Sequence, residues 1–490
     1  MQIRLQNVGI IGDSTLALDG LTVITGKNNS GKTTVGKVLY SLIDSISDIQ
    51  QKAKKDRYDY VGNKLESLEN VLEIFRYLRF AFATGGADVF AGSPALGELF
   101  RREYSKDFPE DIEQFARDIY EELVSFDGSV FDTNDKNYNE KNYGIYRYQK
   151  LIQARSKNET LALSELFEKQ RARALAEMEE LFTDLKKDPQ LIDYARECIN
   201  QTLRVEFSNQ VQPISSPDVV SRVELSSGES VFFDFTIKNN KVLNNGMPVF
   251  LSSPFRRAYL IDDPFILDEI SSKKFYFRSG IVETETILNP SRIQTHNQRL
   301  KSILRSEKKR SVFEQTVMEA SLGPVEEKIN DIIPGRFEFS NEGEYYVRNG
   351  TKLKMCNLAT GSKMFSIIKM LFEKGEIDDT TMLILDEPEA HLHPAWQNAF
   401  AEIIVLMVKE LGVNVLLTTH GSNFMLAIDA YMRKHNIAEK SNFYQTEASE
   451  GGFVHYRCVN DDMERIYQDF LEYLSEVKAL RDRCMLGFEE

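Results

Sequence analysis

The segment Gly26–Thr34 constrains this chain most, because its sequence GKNNSGKTT fits the pattern G-x-x-x-x-G-K-[ST] of a phosphate-binding loop. The apolar run 21–25 before it and the helical periodicity of 35–46 after it predict a flanking strand and helix. In such a loop Lys32 reaches the β- and γ-phosphates and the Thr33 hydroxyl binds Mg²⁺. The sequence therefore predicts a nucleoside triphosphate site. Its predicted binding residues are Gly26, Asn28, Asn29, Ser30, Gly31, Lys32, Thr33 and Thr34.

The second half of such a site is expected far downstream, in Thr381–Pro388, where four apolar residues lead into two carboxylates. We expect Asp386 to support Mg²⁺ through water and Glu387 to orient and deprotonate the attacking water. A helix predicted over 394–411 then leads to a strand that ends at His420. This is the position at which a side chain can sense the γ-phosphate.

Together these motifs resemble the ABC-like ATPase heads of the SMC, RecF and OLD group. The phrase DEPEAHLHP, residues 386–394, is similar to that of standalone bacterial ATPases in anti-phage systems such as Septu. The resemblance covers the N-terminal and C-terminal parts of the chain. It implies an α/β P-loop NTPase fold with an ABC/SMC-head-like mixed sheet. It also implies that ATP and Mg²⁺ are bound, that Glu387 is the general base and that His420 is the switch histidine.

Such heads use a signature loop to cover the ATP of the partner subunit, and two segments compete for this role. Leu225–Glu229 (LSSGE) matches the signature sequence better, but the strand-like residues on either side of it predict a hairpin turn there. Leu358–Lys363 (LATGSK) opens a helical pattern shortly before Asp386, so Gly361 and Ser362 are the predicted ATP contacts. Ala359 replaces the usual serine and removes one hydroxyl donor. Thr360 or Ser362 can supply a hydroxyl in its place, and slow or conditional hydrolysis would be compatible with the change.

The motifs divide the chain into a head and an insertion, since Lys32 and Asp386 lie much farther apart than in a minimal cassette. We predict the head at 1–47 and 211–490, with an N-lobe of 1–47 and 211–290 and a C-lobe of about 291–490. The helical insertion is predicted at 48–210. Glycine-rich breaks interrupt it, which excludes the sustained heptads of a long SMC arm.

Charge and composition leave the partners open. The net charge of −15 argues against a protein that coats nucleic acid generally. A basic stretch could contact DNA or RNA, or form only a solvated face. This stretch contains Arg299, Lys301, Arg305, Lys308, Lys309 and Arg310. No apolar run approaches the ~18 residues of a membrane helix, so we expect a cytoplasmic protein without membrane contact.

Two smaller clusters permit alternative interpretations. Asp262 and Asp263 follow an apolar run and could form a sensing loop near the nucleotide or have no ligand contact. Glu389, His391 and His393 have metal-ligand chemistry, but the resemblance places them in a loop at the dimer seam, and metal binding is disfavoured.

The sequence is consistent with two functions. In the first, the chain is an ATP-switched scaffold of an anti-phage system that dimerises through its heads, or forms a higher oligomer. It would control a separately encoded effector such as an HNH nuclease. In the second, it is a RecF-like DNA-repair ATPase. The segment after His420 is too short for the TOPRIM nuclease domain of OLD proteins, so no nuclease is expected in this chain.

Overall fold

The computed structural model describes residues 1–75, 90, 92–101, 108–131, 163–187, 189–216, 218–243, 254–270, 293–306, 311–340 and 343–485. The described residues form two compact units. The first contains Met1–Ile49 and Ile192–Glu490, and the second contains Gln50–Leu191. Both halves of the predicted nucleotide site belong to the first unit.

An eleven-stranded mixed sheet forms the centre of the first unit, in the order β6-β5-β4-β1-β2-β14-β13-β3-β12-β11-β7. Its strands are β1 Gln2–Val8, β2 Ile11–Ala17, β3 Leu21–Thr25, β4 Ser221–Ser227, β5 Ser230–Lys238, β6 Lys241–Val242, β7 Arg257–Ile261, β11 Thr381–Asp386, β12 Asn414–Thr419, β13 Ser441–Ala448 and β14 Val454–Cys458. A small antiparallel sheet contains β8 Arg336–Ser340, β9 Gly343–Arg348 and β10 Thr351–Lys354.

Five neighbouring strands, β13, β3, β12, β11 and β7, run parallel. Strand β3 (LTVIT) is buried at every position and β11 at all but its last, as expected when helices cover both faces of a parallel sheet. Ile384 pairs with Leu416, and Leu416 pairs with Thr22. This register brings the carboxyl ends of β3, β12 and β11 to one edge of the sheet, where the site motifs follow.

The helices flank these strands or form the second unit. Those of the first unit are α1 Lys32–Ile46, α6 Leu191–Glu206, α7 Ile266–Ile270, α8 His296–Arg305, α9 Val312–Ile332, α10 Thr360–Glu373, α11 Pro394–Leu406, α12 Ser422–Lys434 and α13 Met463–Met485. The second unit contains α2 Ile49–Val71, α3 Pro94–Arg101, α4 Ile112–Ser125 and α5 Leu163–Leu185. The predicted helix 394–411 is α11 followed by a π-helical turn, Met407–Leu411, that ends at Gly412 with φ 69°.

The second unit has its own apolar core. Phe75, Phe131 and Phe167 are fully buried in it, and the rings of Phe131 and Phe167 lie 4.8 Å apart. Aromatic rings at this spacing stabilise a core beyond their buried area. The described part of the predicted insertion is thus a packed helical unit.

The mixed α/β architecture is confirmed, but the predicted end of the insertion at residue 210 is not where the compact unit ends. Helix α6 is grouped with the first unit from Ile192 onward. There the Ser45 hydroxyl of α1 donates to Thr202 Oγ1 at 3.0 Å, and Lys37 Nζ donates to the Glu206 carbonyl at 3.4 Å. Helical periodicity alone cannot distinguish a helix that packs on the head from one that belongs to the insertion. In the described part of the chain, no helix has the length and apolar character needed to cross a membrane.

Candidate functional site

The loop between β3 and α1 wraps closely because two of its glycines adopt backbone conformations that side chains disfavour. Gly31 has φ 78° at the N-terminus of α1, and Gly26 has φ 153°. A Cβ at Gly26 would lie 1.7 Å from Thr446 Oγ1, so no other residue fits there. The Tyr456 hydroxyl donates to the Gly31 carbonyl at 2.8 Å and fixes the loop to β14.

The polar groups of this loop suit an anion. The Lys32 side chain is only 4% exposed, and its ammonium donates to the carbonyls of Gly26 at 3.1 Å and Lys27 at 2.9 Å. Among the described residues, the buried Ser30 hydroxyl has no hydrogen-bond partner. The loop also opens onto the N-terminus of α1, whose dipole favours negative charge. An orphaned hydroxyl, a buried ammonium and a helix N-terminus together fit phosphate.

The two predicted Mg²⁺ residues meet although 353 positions separate them. The Thr33 hydroxyl donates to Asp386 Oδ2 at 2.6 Å, and the Thr418 hydroxyl of β12 donates to Asp386 Oδ1. A hydroxyl and a carboxylate are oxygen donors of the kind that Mg²⁺ prefers, since this ion takes one or two protein oxygens and completes its shell with phosphate and water. The residues therefore fit Mg²⁺.

Glu387 follows Asp386 in a strained backbone conformation. Its φ of 48° is left-handed, which is unfavourable for a residue with a long side chain. Two hydrogen bonds of 3.1 Å from its N–H, to the carbonyl and to the hydroxyl of Thr418, hold it there. Its carboxylate lies 3.5 Å from Lys32 Nζ and 3.3 Å from His420 Nδ1. The turn thus aims the predicted base between the predicted phosphate ligand and the predicted sensor.

Glu389 has a role that the sequence did not reveal. Its carboxylate is buried, and it accepts hydrogen bonds from the Thr419 hydroxyl and, at 3.2 Å, from the N–H groups of His420 and Gly421. Burial raises the pKa of this carboxyl above its usual range. Glu389 therefore positions the backbone that carries His420. Among the described residues, no group of three His, Cys, Asp or Glu side chains is placed so that it could hold a metal ion.

A cleft runs along the loop and is lined by Gly9, Ile10, Asn28, Asn29, Ser30, Gly31, Lys32, Thr33, Thr34, Phe207, Gln210 and Glu387. Gly9, Ile10, Phe207 and Gln210 were not predicted, because they come from the β1–β2 turn and from the segment after α6. A second, more apolar cleft shares Gly9, Ile10 and Gln210 with the first. It adds Gln212, Ile214, Ser215, Gly451, Gly452 and Phe453.

The two signature candidates have the predicted local structures. Leu225–Glu229 lies in the β4–β5 hairpin, whose turn has Gly228 at φ 57°. Thr360 begins α10, and Ala359 precedes it as an exposed cap residue without a side-chain hydrogen bond. A Cβ at Gly361 would lie 3.2 Å from the His391 carbonyl and 3.3 Å from the Trp396 ring. Gly361 therefore has a packing role within the chain, and its contact with ATP remains a prediction, as does that of Ser362.

Asp262 belongs to a buried charged cluster. His296 Nε2 lies 3.0 Å from Asp262 Oδ2, and His296 Nδ1 lies 2.6 Å from Glu206 Oε2. Burial opposes the charge on His296, but the two carboxylates outweigh it and raise its pKa to about 9. Burial likewise opposes ionisation of Asp262, yet His296 leaves its pKa below the usual range. Asp262 thus joins β7, α6 and α8, while the structure gives Asp263 no comparable role.

The described basic residues of α8 are engaged within the chain. Arg299 lies 3.8 Å from Asp44, Lys301 donates to Glu269 at 3.1 Å, and Arg305 donates to the Ile270 carbonyl at 2.6 Å. Lys308, Lys309 and Arg310 lie outside the described residues. The charges of Arg299, Lys301 and Arg305 serve intramolecular contacts, so the prediction of a nucleic-acid surface loses support at these positions.

Comparison with known proteins agrees with the site. A family described as "AAA domain, putative AbiEii toxin, Type IV TA system" matches residues 275–426, less than half of the chain, including Asp386, Glu387 and His420. The Old nuclease of Escherichia phage P2 is 26% identical over 110 residues, which span 22% of this chain and 17% of that protein. Part of the chain is thus similar to an AAA domain family and to a short part of a phage nuclease.

Solved structures similar to the chain include SMC heads. The SMC head domain from Thermotoga maritima is 11% identical with a TM-score of 0.35, over 94% of this chain and 98% of that chain. An SMC head bound to the C-winged helix domain of ScpA is also 11% identical with a TM-score of 0.35, over 93% and 97%. At these TM-scores the similarity adds nothing to the fold described above.

The His296 cluster predicts a pH-dependent stability. A His pKa raised from 6.5 to about 9 stabilises the fold fully below pH 6.5 and loses this contribution as the pH rises through 9. We expect the free energy of unfolding to fall by ~3 kcal/mol over this window relative to His296→Gln. Urea denaturation followed by the fluorescence of Trp396, the single tryptophan, measures this difference. Equal pH profiles of both proteins would contradict the prediction.

Proposed function

We propose that this chain is an ATP-binding and ATP-hydrolysing switch subunit of a bacterial anti-phage system, acting in the cytoplasm. Two copies associate through their heads, and the nucleotide state controls a separately encoded effector, a nuclease. One observation carries the ATPase part of the proposal: Lys32, Thr33 and Glu387 line one cleft, where Asp386 bonds to Thr33 and His420 lies 3.3 Å from Glu387. These are the types of residue that phosphoryl transfer uses.

In this proposal the described side chains divide the chemistry among them. Lys32 and the loop N–H groups would hold the phosphates, and Thr33 with Asp386 would hold Mg²⁺, which when bound would screen the phosphate charge. Glu387 accepts a proton from water as the water oxygen attacks the γ-phosphorus and the bond to the β-phosphate oxygen breaks. His420, 3.3 Å from Glu387, orients this carboxylate and senses the γ-phosphate.

The shape of the site favours a nucleotide over inorganic phosphate. The apolar second cleft shares Gly9 and Ile10 with the first and is also lined by Phe453 and the exposed Ile214. An apolar wall with an aromatic ring is a suitable surface for a nucleobase. The triphosphate would lie in the first cleft and the base in the second.

Control of a partner is the least direct part of the proposal. The second unit, Gln50–Leu191, has its own core and is not needed to build the cleft. Such a unit can offer a binding surface to another protein. A nucleotide-driven change can act on a partner only if the partner has different affinities for the two states of the head.

Substitution of Glu387 by Gln tests the ATPase mechanism. The amide keeps the shape but cannot accept the proton, so we expect turnover to fall by about 10²-fold or more. ATP affinity measured by calorimetry should stay within a few-fold, whereas Lys32→Met should abolish it. The exposed Glu439→Gln is the matched control and should match the wild type in both assays. Wild-type turnover in Glu387→Gln would assign the base to another residue.

Restoring the missing serine tests the choice of signature. Ala359→Ser adds a hydroxyl at an exposed position, and a charge-assisted hydrogen bond to the partner's phosphate should raise turnover about tenfold. The gain should vanish at protein concentrations too low for dimers. Ser227→Ala at the exposed end of β4 should leave turnover unchanged. A loss of turnover in Ser227→Ala together with no change in Ala359→Ser would reverse the assignment.

Phage infection tests the role in defence. Cells that express this chain with its neighbouring gene should resist phage, and cells with either gene alone, or with Lys32→Met, should not. The purified chain should leave DNA intact. Metal-dependent DNA cleavage by the chain that disappears in the Lys32→Met variant would refute a separate effector. Protection from DNA damage without protection from phage would support the RecF-like alternative.

A further inference from the structure

Among the described side chains of helix α13 (Met463–Met485), those that contact the first unit lie near its beginning. Ile466 is buried in the core, Arg465 lies 2.7 Å from Glu447, and the Tyr467 hydroxyl donates to Asp429 at 3.0 Å. From Ser475 to Met485 every residue is exposed. The second half of the helix therefore has no cover from the described part of the chain.

This exposed half carries an apolar stripe. Val477 is 66% exposed and Leu480 is 55% exposed. They share one helix face with Ile466 and Cys484, because steps of three and four residues return to the same side of an α-helix. In the sequence, Phe470 and Tyr473 fall on the same spacing, so positions 463, 466, 470, 473, 477, 480 and 484 form an unbroken heptad pattern.

The exposed half of α13 is not stabilised by burial against the described part of the chain. Isolated helices shorter than ~12–15 residues are marginal in water, and most helices in proteins are stabilised by burying an apolar face. The stripe of Val477 and Leu480 is also too narrow for a globular core contact and has the width of a coiled-coil seam. No element in the described ranges covers this stripe.

We propose that the exposed half of α13 pairs with α13 of a second copy of this chain in a parallel two-helix coiled coil. With Val477 and Cys484 at heptad position a and Leu480 at d, Glu476 occupies g and Arg481 occupies e. In a parallel pair g of one helix meets e of the other, so Glu476 faces Arg481 of the second helix, twice by symmetry. The flanking charges are therefore self-complementary.

The parallel direction rests on the proposed head-to-head association. Both helices start at a head, at the buried Ile466, so only a parallel pair keeps the two heads at the same end. A coil of about two heptads is weak alone, but a contact between the heads raises its effective concentration to the millimolar range. The coil would in turn hold two chains together while the heads open between rounds of ATP hydrolysis.

Disulfide trapping tests the geometry. In a full chain with Cys198→Ser, Cys356→Ser and Cys458→Ser, the remaining Cys484 faces its own copy across the seam. Mild oxidation without nucleotide should link most of the protein into a dimer. The control moves the cysteine to the outer face, with Asp482→Cys and Cys484→Ser added, and should stay largely unlinked. Equal linking of both proteins, or linking of neither, overturns the proposal.

A pair of charge substitutions tests the contact itself. Val477→Asp lies on the seam, and Leu471→Asp lies off it at a site that is 61% exposed, so neither disturbs a buried position. Sedimentation without nucleotide should show at least a tenfold weaker dimer for Val477→Asp and no change for Leu471→Asp. Equal effects of the two substitutions on dimer affinity would contradict the coiled coil. In the Val477→Asp background, dimers of Glu387→Gln that form only with ATP report on the heads separately, so either proposal can fail without the other.

Discussion

The hydrogen bond between Thr33 and Asp386 is the contact on which the rest of the site depends. It joins the first helical turn after β3 to the end of β11, two strands that are separated in the sheet only by β12. It exists because β3, β12 and β11 run parallel in a register that ends all three at the same edge. A ligand crevice at the carboxyl ends of parallel strands is the general consequence of such a sheet.

Backbone strain and charged side chains are concentrated at the turn that follows β11. Glu387 keeps a left-handed backbone because Thr418 accepts two hydrogen bonds from its N–H, and the same Thr418 hydroxyl donates to Asp386. Glu389, two residues later, accepts hydrogen bonds from the N–H groups of His420 and Gly421. Backbone strain of a few kcal/mol persists only where the surroundings fix it. The turn and the end of β12 therefore hold each other in place.

The cleft at the predicted phosphate loop lies beside the ends of both helices that border the predicted insertion. Helix α1 starts at the phosphate loop, and α6 ends just before Phe207 and Gln210, which line the cleft. Glu206, the last residue of α6, bonds to His296 and through it to Asp262 at the end of β7. Hydrogen bonds thus connect the end of α6 with α8 and with the end of β7.

The sequence alone determined the local parts of this protein. The loop 26–34 with its flanking strand and helix, the strand that ends in Asp386 and Glu387, and the hairpin at Leu225–Glu229 all follow from patterns among neighbours, whose periods reflect helix and strand geometry. Tertiary structure alone decided that Glu389 supports His420, that His296 lies between two carboxylates and that Gly361 packs against Trp396. These contacts join residues that are distant in the chain or lie in a turn. They depend on strand order and register, which hydrophobic periodicity does not encode.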